Sequence, residues 1–162
     1  MNFEKYTNSS KKIINAAQNL ALGKKHQKIT PMHIFSELLN SNHDLIVKAF
    51  EGSDFNQIKV SAHSNLVKEP SNGGNGQIFA DPKLIKLFEN AEKLASEQQD
   101  NYVSIDSLLI SSIQSDNNIE SIIKKVGLNL NKIKSKISDI RKSAKSDNES
   151  SDDNFNALEK YT

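Results

Sequence analysis

"ALGKKHQKITPMHIFSELL", residues 21–39, and "ASEQQDNYVSIDSLLISSI", residues 95–113, decide the fold, because they superimpose without a gap at a shift of 74 positions. The first reads as the end of one helix, a short basic loop and the capped start of another. Gly23 and the Lys24-Lys25-His26 cluster put a breaker and positive charge where helix carbonyls are exposed. Thr30-Pro31 then supplies an N-cap and a proline at the first helical position, where its missing N–H costs nothing. In the second stretch Val103 stands for Ile29, Ser104 for Thr30, Leu108 for Ile34, Leu109 for Phe35 and Ile113 for Leu39.

The correspondence extends in both directions. Upstream, Thr7 can cap a helix over 8–22 whose apolar set, Ile13, Ile14, Ala17, Leu20 and Ala21, recurs at helical spacing. Its counterparts are Asp81 for the cap and Leu87, Phe88, Ala91, Leu94 and Ala95 for the stripe. Downstream, a turn at 42–44 leads to a short helix over 45–50, which Gly52 ends. Asp54-Phe55-Asn56-Gln57 then resembles a capping box and opens a fourth helix with Phe55, Ile58, Ala62 and Leu66 inward. After one inserted residue Gly52 falls on Gly127, Phe55 on Leu130 and Ile58 on Ile133. Caps, glycines and loop lengths agree together, so the chain is a duplicated four-helix unit. Two repeats fall below the roughly three that a solenoid needs, and they should pack as one pseudo-symmetric, all-α pair. The expected divisions are a domain over 1–142, with repeat one at about 1–70, a Gly- and Asn-rich connector over 70–79 and repeat two at about 80–142. Nothing apolar pins "PSNGGNGQ", residues 70–77. Beyond Ile140 the pattern gives way to "RKSAKSDNESSDDN", too polar to repay the entropy of ordering, and residues 143–162 are expected to form a flexible linker. "FNALEKYT" at the end returns a short helical signal and looks like the start of a further module.

Composition excludes several classes of function. With 162 residues, 36% hydrophobic, 6% aromatic and no tryptophan, the core is modest and aliphatic. Twenty-one basic against 20 acidic residues leave a net charge of +1, too little to hold a phosphate backbone, so no nucleic-acid partner is expected. The absence of cysteine removes disulfides and thiolate chemistry and fits a reducing compartment, with the cytoplasm as the expected location. "MNFEKYTNSS" has no apolar signal region, and no stretch approaches the roughly 20 apolar residues that span a bilayer, so no membrane association or export is expected. His26, His33, His43 and His63 show neither HxxxH nor HExxH spacing, so no metal is expected, and His33, third in its helix, should finish that terminus or pack beneath the loop. "GGNG" lacks the Lys-Ser/Thr of a phosphate loop, and no G-x-S-x-G elbow occurs, so the fragment is expected to be non-catalytic, with no cofactor of its own.

Residues 21–34 ("ALG" through "ITPMHI"), the loop Gln99-Asp100-Asn101-Tyr102-Val103-Ser104-Ile105-Asp106 and the terminal "ALEKYT" resemble the N-terminal domain of ClpB-type AAA+ protein disaggregases. The resemblance covers essentially the whole chain. Proline after the cap favours ClpB over protease-linked Clp unfoldases, which share the double four-helix fold. It implies a substrate-engaging accessory domain of a homohexameric machine that threads unfolded or aggregated polypeptides through an ATP-driven pore, in cooperation with a seventy-kilodalton heat-shock chaperone. ATP and magnesium would belong to modules outside this fragment, and the isolated domain would be monomeric. The alternative it leaves open is an adaptor-docking domain of a protease-linked unfoldase. The family's peptide-handling positions fall on Thr7, Asp100 and Asp106, with Tyr102 at a family aromatic. Asp106 replaces the usual glutamate, and Gln99 replaces a glycine. Each residue also has a purely structural reading. Thr7 caps a helix, Asp106 suits a first turn, Asp100 is a loop acid and Tyr102 can plug the core. The expected working surface is an apolar groove between the repeats, rimmed by Thr7, Asp100 and Asp106.

Overall fold

The structure, a computed structural model, describes residues 2–74 and 76–142; the expected linker at 143–162 lies outside the described residues. Repeat one contains α1 (Asn8–Gly23), α2 (Pro31–Asn40), α3 (Asp44–Ala49) and α4 (Phe55–Val67), and repeat two contains α5 (Pro82–Glu97), α6 (Ile105–Ser115), α7 (Asn117–Lys125) and α8 (Leu130–Arg141). Each helix of the first unit therefore has its partner in the second.

The agreement reaches individual hydrogen bonds. α1 and α5 are both 16 residues long. They start on side-chain caps, Thr7 accepting from the Ser10 amide at 3.1 Å and Asp81 from the Lys83 amide at 2.7 Å. Both end in a Schellman turn. The His26 amide donates to the Ala21 carbonyl at 3.0 Å, and the Asp100 amide to the Ala95 carbonyl at 2.9 Å. Gly23, expected as the breaker, lies inside the helix. The left-handed positions are Lys25 (φ 57°) and Gln99 (φ 60°), since the turn needs its positive φ two residues later. Gln99 thus holds, at some backbone cost, a conformation that glycine adopts freely, and glycine is what the family resemblance expects there.

α2 and α6 are the centre of the molecule, with eight of ten and nine of eleven residues buried. They pack on each other, while α3 packs on α8 and α4 on α7, as an approximate twofold axis between α2 and α6 requires. Phe35, Leu38, Leu39, Leu108 and Leu109 are fully buried at this centre. Each contributes about 1.5–3 kcal/mol of transfer free energy relative to exposure. Between α2 and α6 the seam is therefore filled, because apolar faces on both central helices are satisfied only by packing against each other.

One feature lay outside the all-helical expectation. β1 (Lys28–Ile29) and β2 (Phe79–Ala80) form a two-stranded parallel pair, Ile29 opposite Ala80. The twofold counterpart is a parallel bridge between Tyr6 and Val103. Each repeat's approach to its first helix thus pairs with the other repeat's approach to its second. The extended residues ahead of each N-cap leave backbone groups open, and the neighbouring repeat satisfies them. The connector is held as well. The Gln27 amide donates to the Pro70 carbonyl at 3.0 Å and the Asn72 amide to the Lys25 carbonyl at 2.8 Å. Polar bonds fix what no apolar residue could.

Candidate functional site

The Schellman turns place their final residues, His26 and Asp100, at equivalent points facing the start of the next helix, and what each meets there differs. In repeat one the amide of Thr30 donates to Nδ1 of His33 at 2.9 Å, completing the N-terminus of α2 as its third-position residue should. Nε2 of His33 lies 2.9 Å from Nδ1 of His26. Because Nδ1 of His33 accepts, its proton sits on Nε2 and is donated to His26. Burial, followed by the neighbouring His26, pushes the pKa of His33 down to about 4.

In repeat two Ser107 occupies the place of His33, and an arginine fills the space. Arg141, the only arginine in the chain and the last residue of α8, donates through Nη2 to Oδ2 of Asp100 at 2.5 Å and through Nη1 to Oδ2 of Asp106 at 2.6 Å. Nη1 also reaches Oε1 of Gln98 at 3.1 Å. Ser104 Oγ donates to Oδ1 of Asp106. The carboxylate side chains of Asp100 and Asp106 are 0% and 1% exposed, and the arginine side chain is 14% exposed. Burial works against the guanidinium charge, but Asp106 and Asp100 outweigh it and raise its pKa.

The structure ties Thr7 through Val103 to the loop that carries Asp100 and Asp106. The Thr7 amide donates to the Val103 carbonyl at 3.0 Å, and the Ser10 hydroxyl donates to the same oxygen at 2.9 Å. Thr7 is completely buried, its hydroxyl accepting from the Ser10 amide and donating to Ser10 Oγ at 2.9 Å. Tyr102 is half-buried. Three of the four residues therefore sit beneath the surface rather than on the rim of an open groove. Sequence reasoning missed Arg141, reading it as the start of the linker. Two signals could have found it: its being the lone arginine among 21 basic residues, and its falling at the place of core residue Leu66 under the 75-residue shift of the fourth helices.

Thr7→Ala should cost about 1 kcal/mol through the lost cap, read as a lower urea midpoint, whereas Thr7→Ser should keep the cap and most of that stability. A peptide-binding defect in the alanine variant counts as contact only if it persists in conditions where the domain remains folded.

The description that matches residues 5–126 is that of the Clp repeat N-terminal domain. The chain belongs to that family. "Chaperone protein ClpB" of Mesorhizobium japonicum is 32% identical over 165 residues, covering 99% of this chain and 19% of that protein. The ClpB of Rickettsia conorii is 31% identical over 166 residues with the same coverage. The chain thus spans about a fifth of the length of these curated relatives. Among solved structures, the Hsp104 N-terminal domain from Candida albicans superimposes with a TM-score of 0.81 at 26% identity, covering 92% of this chain and 99% of that one. A complex of the ClpV N-domain with VipB peptide shares the fold at a TM-score of 0.67 and 18% identity, covering 85% and 89%. The chain resembles the N-terminal domain of a ClpB chaperone throughout its described length. No helix among the described residues is long and apolar enough to cross a membrane.

Proposed function

We propose that this Clp N-terminal domain weakly captures exposed hydrophobic segments of unfolded or aggregated polypeptides and passes them to the ATP-driven pore of its parent hexamer, working with a seventy-kilodalton heat-shock chaperone. The observation that carries the reading is the likeness to ClpB chaperones across 99% of the chain. Weak capture suits the role, because a client must leave the domain to enter the pore and tight holding would slow release. The domain contributes no chemistry in this reading; ATP hydrolysis belongs to the rest of the parent protein.

With the Asp100–Arg141–Asp106 cluster buried, its part is to hold the loop over 99–106 and the end of α8 in place. Clients would touch the surface that this cluster shapes. Titration of the 162-residue chain with a reduced and alkylated, permanently unfolded protein tests the proposal by amide chemical shifts. Saturable shifts around 99–106 and at the start of α1 are expected. An unresponsive spectrum would overturn capture. The second reading, docking of a folded adaptor, draws on the ClpV N-domain, whose solved complex holds a VipB peptide.

A further inference from the structure

Where the seam reaches the surface, a cleft of about 260 Å³ opens between the two repeats. Three elements line it: Ser9, Lys12 and Ile13 from one face of α1, Ser41, Asn42 and His43 from the turn between α2 and α3, and Ile105 at the first position of α6. We infer that this cleft is a binding site for a carboxylate carried on an apolar stem, supplied by a client peptide. The inference rests on the peptide-capture reading and gives it a chemical preference.

The lining makes the choice. No aspartate or glutamate is among these residues, and one of them, Lys12, carries a full positive charge. His43 closes the turn, its Nδ1 accepting from the Leu45 amide at 3.2 Å at the start of α3. Asn42 supplies a side-chain amide. Ile13 and Ile105, both buried, form the apolar wall. One cation with a few neutral donors matches a single negative charge; a phosphate would ask for more. The volume falls just under the roughly 300–1,000 Å³ of ordinary small-molecule sites and suits one or two peptide side chains rather than a nucleotide. Under the repeat shift the corresponding turn in repeat two carries Asp116, whose carboxylate already caps α7 by accepting from the Asn118 amide at 2.8 Å. The duplication thus puts a carboxylate in the second repeat's turn where the first repeat has Asn42.

Two kinds of carboxylate qualify, a C-terminal one and an aspartate side chain within a chain, and a set of three short peptides separates them. The 162-residue protein is titrated with acetyl-Ala-Leu-Leu as the free acid, with the same peptide amidated, and with acetyl-Leu-Asp-Leu-amide, following amide shifts. The free acid or the aspartyl peptide should produce saturable shifts at Ser9, Lys12, Asn42 and Ile105, and the amidated control should not. Whichever acid binds identifies the source. Lys12→Gln, at an exposed position, should weaken that binding about two- to fivefold, the range of an exposed ion pair, and Lys12→Glu should abolish it. Equal shifts from acid and amide, or none from either acid, would overturn the inference. The two readings fail separately. An unfolded client that binds Lys12→Glu as well as the parent chain removes the cleft and leaves capture standing, whereas acid peptides that bind while unfolded clients do not remove capture and leave the cleft.

Discussion

Arg141→Ala lowers the unfolding free energy by about 3–5 kcal/mol, because it strands two carboxylates that the fold has already taken out of water. Their side chains are 0% and 1% exposed, and the arginine meets each through a separate nitrogen. Truncation leaves like charges close together with no cation. Arg141→Lys should recover only part of the loss, since an ammonium is a point charge and cannot reach both acids with a planar fork. The diagnostic variant is the triple Arg141→Met, Asp100→Asn, Asp106→Asn, which removes all the charges at once. It should be far more stable than Arg141→Ala alone, which separates the cost of stranding two buried acids from the net worth of the cluster. Urea unfolding of the four proteins provides the numbers. A loss below about 1 kcal/mol for Arg141→Ala, within the range of ordinary exposed pairs, would show that water already screens the cluster. Because Arg141 ends α8, the same variant should loosen the last turn of that helix and the loop at 99–106 together, seen as faster amide exchange at both.

Acidification should destabilise the domain through the other repeat. The pKa of His33 is near 4 in the folded chain against 6.5 for the free side chain. A folded pKa below the unfolded one means that the unfolded chain binds the proton more readily. The stabilisation is therefore complete above about pH 6.5 and is lost progressively as pH falls towards 4. The shift corresponds to roughly 3 kcal/mol over that window. The cause is structural: His33 is completely buried, its Nδ1 accepts from the Thr30 amide, and His26 lies against its other nitrogen. A proton on Nδ1 would break the bond that finishes α2 and place a charge beside a second imidazole. His33→Gln should flatten the urea midpoint between pH 6.5 and 4 at a lower overall stability. An unchanged pH slope in that variant would assign the acid sensitivity to other groups.

The duplication was legible in the chain because caps, glycines and stripes are local signals. Thr7, Asp81, Asp54 and Asn129 all cap as oxygen-bearing residues ahead of apolar periodicity do. His33 finishing its own helix was legible for the same reason, being a contact between positions 30 and 33. The true breakers, Lys25 and Gln99, were not, since neither residue type advertises a positive φ. Nor was the burial of the acids. Asp100 looks like a loop acid and Asp106 like a first-turn carboxylate until a side chain 35 to 41 positions away arrives, and nothing local announces Arg141.

By itself the sequence determined that this protein is two copies of one four-helix unit, because helix ends and apolar faces are set by neighbours within a few residues. Only the tertiary structure decided that the seam between α2 and α6 is filled, that the acids are held inward by an arginine at the far end of their repeat, and that a cation-bearing cleft remains at the edge. Those outcomes depend on which side chains meet across the twofold axis, where one cation of the right shape is enough to turn an acidic rim into a buried brace.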